Sequence, residues 1–292
     1  MTASLKQKRP RGGLRIDARP EGLGAAVTGL DLSRPLSTND LQAVLDAFAA
    51  HAVLWFPDQP LTHDQLEAFS LQIGPFGWDP YVEPLADRPH IVEVRRDASE
   101  TALPFGGGWH SDWSFQETPP SASLLHAKVV PPVGGETLFA DGAAAYDALS
   151  PVMQGLLTGL RAVHSAAGPY GAEGFFAKET EARAMRIIVS PEADKTHSHP
   201  LVRTHPVSGR RSLFVSPGYT VGIEGMSADE SAALLGYLYG FMTGDRFVYR
   251  HRWAPDMLTM WDNRRLLHCA TGGYDGHLRI MHRTTIAGAR PQ

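Results

Sequence analysis

The stretch "GGGWHSDWSF" at residues 106–115 places His110 two residues before Asp112, directly after three glycines. In a β-strand, alternate residues project to the same side, so His110 and Asp112 would point together and Ser111 away. Such a pair can supply two ligands to a metal ion. The same spacing is also common where no metal binds, so residues elsewhere in the chain must decide its meaning.

A third ligand is available in "WDNRRLLHCATGGYDG" at residues 261–276, where His268 follows a predicted strand at 257–262. Two histidines and one carboxylate on one face of an octahedral ion leave adjacent positions open, as in non-haem Fe(II) oxygenases. From these residues alone, a metal-dependent hydrolase and a non-catalytic metal-binding protein are the alternatives.

Other histidines in the chain are also candidates for metal ligands. "THSHP" at residues 196–200 holds His197 and His199, again two apart, but no acidic residue nearby completes a site. We interpret this pair as a structural or surface pair, and we expect His126 and His205 to be strand or turn histidines.

The segment "LRIMHRTTI" at residues 278–286 predicts a strand in the β core. Its alternation places Arg279 and Arg283 on one face, with Met281 and Thr285. A buried arginine without a partner is costly. Either an internal ion pair or a pocket for a carboxylate would explain the two arginines, because guanidinium binds carboxylates through two parallel hydrogen bonds.

Composition sets broad limits. The chain has 292 residues, 43% hydrophobic and 20% charged, with a net charge of −4, so no basic field indicates nucleic acid as a partner. The single cysteine, Cys269, excludes an internal disulfide, and we expect it to be a small packed residue. No apolar run is long enough to span a membrane, and the basic start lacks the apolar core of a signal peptide, so we expect a cytoplasmic protein.

Helical and strand patterns alternate along the chain. Helices are predicted to begin after Ser37, Thr62, Ser150 and Ser227, and short β patterns lie between them. We therefore expect an α+β fold with a barrel or jelly-roll core, in one domain at 14–292 after a disordered basic tail at 1–13. Residues 165–200 have the least regular pattern, and an active-site lid or a disordered insertion would explain them.

Taken in order, these pieces resemble the taurine dioxygenase/2,4-D dioxygenase family of Fe(II)- and 2-oxoglutarate-dependent enzymes. The resemblance runs from about residue 20 to residue 288 and is carried by a set of motifs: "GAAVTGLDLSRPL", "WHSDWSFQETPPSASLLHAKVVPPVGGETLFAD", "HPLVRTHPVSGRRSLFVS", "WDNRRLLH" and "RIMHRTT". The resemblance implies a distorted double-stranded β-helix (jelly roll) with flanking helices, and commonly a dimer or tetramer.

By this resemblance, His110, Asp112 and His268 are the iron ligands, and Thr137 and Arg279 hold the distal carboxylate of 2-oxoglutarate. The implied reaction consumes O2, releases succinate and CO2, and hydroxylates a C–H bond of a small substrate. Cleavage follows where the hydroxylated carbon carries a sulfonate, sulfate ester or aryl ether.

The substrate is expected to be a small anion. Arg283 matches the arginine that faces the substrate's anionic group in the taurine enzyme, but Phe105 and Asp79 replace polar contacts of that enzyme, which makes taurine a poor candidate. An aryloxy- or alkyl-carboxylate, or an alkyl sulfate, fits an apolar pocket formed by Phe105 with other aromatic residues. These residues are Tyr170, Phe175 and Phe176. The alternative is that the aromatic residues pack a lid, while Arg283 pairs with Asp79 or with the cosubstrate.

Overall fold

The structure is a computed structural model that describes residues 13–292. The predicted tail at 1–13 therefore lies, apart from Gly13, outside the described residues. The strands are β1 Arg15–Ala18, β2 Ala25–Thr28, β3 Val53–Phe56, β4 Val92–Arg96, β5 Ala122–Val129, β6 Thr137–Asp141, β7 Arg161–Ser165, β8 Thr196–Pro200, β9 Val202–Thr204, β10 Arg211–Leu213, β11 Thr220–Ile223, β12 Val248–His251, β13 Leu258–Asp262, β14 Leu266–Ala270 and β15 Arg279–Ile286. The helices are α1 Thr38–His51, α2 His63–Ile73, α3 Gly142–Asp147, α4 Pro151–Leu157, α5 Ala167–Tyr170, α6 Phe175–Lys178 and α7 Ala228–Met242, with 3₁₀ turns at Pro191–Asp194 and Asp245–Phe247.

Two sheets form the centre of the described chain. The larger has seven strands in the order β1-β2-β3-β13-β5-β15-β4, and the smaller has the order β12-β6-β14. Buried side chains from both sheets pack together, including Leu125 and Met281 from the larger and Phe139 and Leu266 from the smaller. The space between the sheets is therefore the interior in which a site can be enclosed.

Helices cover the opposite face of the larger sheet. α1 and α2 bury Phe48, Leu66 and Phe69 against that face, where they join Leu124 and Met260 in one apolar cluster. Both helices begin as the sequence predicts. Ser37 accepts a hydrogen bond from the Asp40 backbone N–H, and Thr62 and Gln65 form a reciprocal capping box.

The predicted strand through His110 and Asp112 is wrong. His110 makes a single bridge to His268, and the chain turns immediately afterwards, with Trp113 in the left-handed region at φ 47°. Positive φ is unfavourable for a residue with a Cβ atom, so the surrounding packing must impose this turn.

The segment 165–200 is more regular than its sequence indicates. It contains α5, α6, the 3₁₀ turn at Pro191–Asp194 and β8, which pairs with β7 along its full length. Among residues 13–292, no helix combines the length and the apolar character that crossing a bilayer requires.

Candidate metal centre and active site

His110 and His268 are brought together by the backbone. The His110 N–H donates to the His268 carbonyl (2.9 Å), and the His268 N–H donates back to the His110 carbonyl (2.7 Å). Their ring centroids lie 4.2 Å apart. His110 Nδ1 lies 2.7 Å from the Gly108 carbonyl, so this nitrogen carries the proton and Nε2 keeps its lone pair. The main chain therefore holds the two imidazoles side by side.

Asp112 faces both rings. Its Oδ1 lies 3.5 Å from His110 Nε2 and 3.7 Å from His268 Nε2. Its other oxygen, Oδ2, accepts a hydrogen bond from Ser123 (2.5 Å), which in turn accepts one from Asn263 (2.9 Å). Ser123 and Asn263 fix the carboxylate so that Oδ1 remains available. One ligand atom from each of the three predicted metal ligands lies within 4.8 Å of the others.

The charge states of this cluster suit a cation. Burial on its own raises the pKa of Asp112, but the neighbouring His268, His110 and the charge of Arg283 outweigh it and hold that pKa well below its usual range. Burial lowers the pKa of His268 to about 3, and the neighbouring His110 adds to the shift. An ionised carboxylate beside a neutral imidazole is the protonation state that binds a metal ion.

A narrow cavity extends from the two histidines into the space between the sheets. Its lining includes Thr137 from β6, and Arg279 and Arg283 from β15. Thr137 Oγ1 accepts a hydrogen bond from Trp253 (3.1 Å). Arg279 is 6% exposed and, within the described part of the chain, has no hydrogen-bond acceptor and no acidic partner within 4 Å. Burial lowers its pKa from the usual arginine value.

Arg283 lies four residues after Arg279 on β15 and, unlike Arg279, has acidic neighbours. Its Nη2 donates to Asp79 Oδ1 at 2.6 Å, and its Nη1 lies 3.7 Å from Asp112 Oδ1. Asp79 also accepts hydrogen bonds from Trp113 (2.7 Å) and Thr285 (3.0 Å). The pairing of Arg283 with Asp79, one of the two arrangements considered from the sequence, is therefore present, and Asp79 lines neither cavity.

A larger cavity of about 730 Å³ opens on the other side of His110. Its walls are largely apolar and aromatic, and they include the four aromatic residues that the sequence singled out: Phe105, Tyr170, Phe175 and Phe176. Arg183 lies in the same wall, where it is bound by Glu179 (2.5 Å) and faces Glu100 (3.7 Å). The cavity thus combines an apolar interior with a charged group that already has partners.

Some of the residues that shape the site gave no signal in the sequence. Ser123 and Asn263 both lie within motifs quoted above, but the sequence assigned neither of them a role. Tyr219 lines the larger cavity with its ring centroid 6.1 Å from that of His110. The Cys269 thiol is partly buried, and its Sγ donates to the Gly107 carbonyl (3.1 Å).

Comparison with known proteins decides the family. The family model for the taurine catabolism dioxygenase TauD, TfdA family matches residues 15–285. The chain belongs to the TauD/TfdA family of dioxygenases.

Individual TauD/TfdA relatives agree with this assignment. The alpha-ketoglutarate-dependent 2,4-dichlorophenoxyacetate dioxygenase of Cupriavidus pinatubonensis is 38% identical over 261 residues, covering 84% of this chain and 87% of that protein. An alpha-ketoglutarate-dependent sulfate ester dioxygenase of Pseudomonas putida is 31% identical and covers 95% and 91%. The crystal structure of a taurine dioxygenase from Burkholderia xenovorans superimposes with a TM-score of 0.79 at 30% identity, covering 97% of this chain and 93% of that one.

As a member of the TauD/TfdA family, the chain is a 2-oxoglutarate-dependent non-haem iron dioxygenase that uses Fe(II), 2-oxoglutarate and O2. Its fold is α+β with several sheets, like that of its solved relatives. The resemblance inferred from the motifs is confirmed.

Proposed function

We propose that the chain hydroxylates a C–H bond of a small organic anion, with His110, Asp112 and His268 as the iron ligands and Arg279 and Thr137 as the anchor for 2-oxoglutarate. The observation that supports this proposal most directly is the burial of Arg279. Arg279 has no hydrogen-bond acceptor among the described residues, and it lines the same narrow cavity as His110 and His268. A buried cation without a partner is costly, and a dicarboxylate bound in this cavity would remove that cost.

The three proposed ligands fit an iron ion in both chemistry and orientation. The hydrogen bond to Gly108 leaves His110 Nε2 free, and the hydrogen bond from Ser123 leaves Asp112 Oδ1 free. Two imidazoles and one carboxylate form the facial set that suits Fe(II). Bound there with 2-oxoglutarate, the iron supplies the O2 chemistry that releases succinate and CO2 and oxidises the substrate.

The protein's own contribution is placement and exclusion of water. Arg279 would orient the distal carboxylate of 2-oxoglutarate by a bidentate contact, with the Thr137 hydroxyl beside it. Apolar side chains of the larger sheet, among them Val94, Leu125 and Trp261, line the narrow cavity and leave little room for bulk water. A metal-dependent hydrolase with the same ligands would need neither Arg279 nor Thr137, and the family relationship does not favour it.

The substrate would occupy the larger cavity in front of His110. Its aromatic walls favour a substrate with an apolar or aromatic body, and relatives act on 2,4-dichlorophenoxyacetate and on sulfate esters. Both kinds of molecule carry an anionic group, and we assign that group to Arg283, which lines the adjoining narrow cavity; Phe105 and His110 lie in the walls of both cavities. Asp79 partly neutralises Arg283. Where the hydroxylated carbon bears an ether or sulfate oxygen, the product would break down with cleavage of the C–O bond.

The segment 165–200 would act as a lid. It contributes Tyr170, Phe175, Phe176 and Arg183 to the larger cavity, and Arg183 reaches across to the carbonyl of Leu103 (2.9 Å). We further propose that the two central sheets form the double-stranded β-helix of the family within one domain, and that the enzyme is a dimer or tetramer, which light scattering of the purified chain would test.

The assignment of the ligands is tested by anaerobic mixing of Fe(II), 2-oxoglutarate and purified protein. Formation of the weak visible charge-transfer band is expected in wild type, and its loss in His110→Ala and Asp112→Ala. His126→Ala is the matched control, since His126 is 1% exposed, bonds the Gln59 carbonyl (2.7 Å) and lines neither cavity. A band that persists in His110→Ala would overturn the ligand set. Substrate-stimulated succinate formation, screened over aryloxyacetates and alkyl sulfates, tests the substrate class.

A further inference from the structure

In the structure, the two histidines of "THSHP" hydrogen-bond to the backbone of one short turn. His197 Nδ1 lies 2.8 Å from the carbonyl oxygen of Phe115, and His199 Nε2 lies 2.9 Å from the carbonyl oxygen of Gln116. A carbonyl only accepts, so both ring nitrogens are donors. The structural role expected for this pair is confirmed, and its target is the turn that follows Asp112.

A third histidine reaches the same turn. His164 of β7 shares a hydrogen bond with the Ser114 hydroxyl, with His164 Nδ1 at 3.1 Å from Oγ. Three consecutive residues, Ser114, Phe115 and Gln116, are therefore each held by a different histidine ring.

The pairing of β7 with β8 explains why all three rings point the same way. His164 lies directly opposite His197 in the antiparallel register, and His199 is two residues further along β8. Residues at this spacing share one face of a sheet. His164 and His199 are 0% and 1% exposed, and burial lowers the pKa of His199 to about 4, so its ring remains a neutral donor at ordinary pH.

Other contacts also hold the turn: the Trp113 indole N–H donates to Asp79 (2.7 Å), and the Gln116 side chain donates to the Trp78 carbonyl (3.0 Å). The turn begins at Asp112, passes through Trp113 at φ 47°, and closes with the Gln116 N–H on the Trp113 carbonyl (2.9 Å). Because positive φ is strained for tryptophan, the conformation must be stabilised from outside. The direction of the Asp112 carboxylate depends on the backbone of this turn.

We propose that His164, His197 and His199 together position Asp112 for metal binding by fixing the turn at residues 114–116. This histidine support rests on the proposed role of Asp112 as an iron ligand. The three residues are positioning residues, because they act through the turn. Groups outside the first ligand shell commonly change metal affinity by factors of ten or more when they are removed.

The alternative is that the three rings only fill the core. Substitutions that keep volume but remove the donor separate the two possibilities. His199→Leu and His197→Leu remove the donated hydrogen bonds, whereas His199→Gln and His197→Asn place an amide N–H near the original nitrogen. His126→Leu is the matched control, since it removes a similar buried hydrogen bond to a backbone carbonyl far from the turn.

The measurement is the affinity of each variant for Mn(II) with 2-oxoglutarate, read from free Mn(II) by electron paramagnetic resonance, beside its urea unfolding curve. His199→Leu is expected to bind Mn(II) about tenfold more weakly than wild type, and His199→Gln to recover most of that loss. His126→Leu should lose stability without losing Mn(II) affinity. Equal Mn(II) affinities in His199→Leu and His126→Leu would overturn the proposal.

Two further variants make every outcome decisive. If the leucine variants do not fold, Ser114→Ala removes only the hydroxyl that His164 contacts, and it should still weaken Mn(II) binding; unchanged binding would count against the support. Asp112→Asn tests the underlying ligand set. If Asp112→Asn binds Mn(II) like wild type, the ligand assignment itself fails, whereas loss in Asp112→Asn with normal binding in His199→Leu rejects the histidine support alone.

Discussion

His110 and His268 exchange both of their backbone hydrogen bonds, at 2.9 and 2.7 Å, so the two imidazoles are fixed relative to each other by the main chain. This is the pattern of a hydrogen-bonded antiparallel pair, reduced to a single bridge. Metal binding should therefore be sensitive to small displacements of either ring.

Gly106 offers a way to displace the His110 ring. It has φ 74°, and a Cβ atom added there would lie 3.3 Å from His110 Cε1. Gly106→Ala is expected to weaken metal binding, because the methyl group must push the ring from its position. Gly159→Ala is the control, since Gly159 has φ 85° with nothing within 4 Å of an added Cβ.

Both alanine variants should lose about 1–2 kcal/mol of unfolding free energy from the left-handed conformation. Only Gly106→Ala should also lose Mn(II) affinity, as measured by titration with 2-oxoglutarate present. Equal Mn(II) affinity in the two variants would show that the His110 ring tolerates the displacement.

Arg279 and Arg265 are both 6% exposed, but only Arg265 has an acidic partner. Arg265 Nε donates to Asp141 Oδ1 at 2.8 Å, whereas Arg279 has no acceptor among the described residues. Removing Arg265 would leave Asp141 buried without its cation, which typically costs about 3–5 kcal/mol. Removing Arg279 from the ligand-free protein removes a buried charge that has no acidic partner among the described residues and only the rings of Trp253 and Tyr274, each 6.0 Å away, beside it.

We therefore expect Arg265→Gln to destabilise the ligand-free protein strongly and Arg279→Gln to leave its unfolding free energy unchanged or higher. Arg279→Gln should instead lose about 2 kcal/mol of 2-oxoglutarate binding, the usual scale of a hydrogen bond to a charged group. Urea unfolding measures the unfolding free energy of each variant, and calorimetric titration measures its affinity for 2-oxoglutarate. Strong destabilisation by Arg279→Gln without 2-oxoglutarate would reveal an internal partner for this arginine.

Asp79 should limit the affinity for anionic substrates, because it already neutralises Arg283 at 2.6 Å. Asp79→Asn keeps an oxygen acceptor for Trp113 and Thr285 but removes the negative charge. We expect tighter binding of an aryloxyacetate and little change for its neutral amide. The readout is the KM of each compound in substrate-stimulated succinate formation. Equal effects on the acid and the amide would place the anionic group away from Arg283.

His251 should contribute to acid unfolding. Its two ring nitrogens lie near the hydroxyls of Tyr249 (2.9 Å) and Thr259 (3.0 Å), and burial lowers its pKa to about 3. The folded pKa lies below that of the unfolded chain, so stability is full above pH 6.5 and is lost as the pH falls toward the folded pKa.

At pH 5 this single histidine should account for about 2 kcal/mol of lost unfolding free energy. His251→Gln removes the titration, so its stability should fall less steeply than wild type between pH 6.5 and 4. Urea unfolding at several pH values gives the slope of unfolding free energy against pH for wild type and for the variant. Measurements at pH 8 give the unfolding free energy that the substitution itself removes. Parallel slopes would show that folding does not lower the pKa of His251.

The helices and the long strands were readable from the sequence because local chemistry specifies them. Ser37 and Thr62 cap helices at the predicted positions, and β15 buries Arg279 and Arg283 on the predicted face. Several strands could not be predicted from the sequence. β7, β8 and β14 each contain a histidine and lack a clear alternating pattern, so only pairing with neighbouring strands identifies them.

The sequence by itself determined the identity of the candidate ligands, since His110, Asp112, His268 and Arg279 stand in a recognisable order, and order is a property of the chain. Only the tertiary structure decided how Asp112 is aimed. Its turn, the Ser123 hydrogen bond and the histidines of β7 and β8 depend on segments that are distant in sequence. The pairing of Arg283 with Asp79 was one of two arrangements that the sequence allowed. Contacts of this kind form when sheets and turns pack, and no local pattern of residues encodes them.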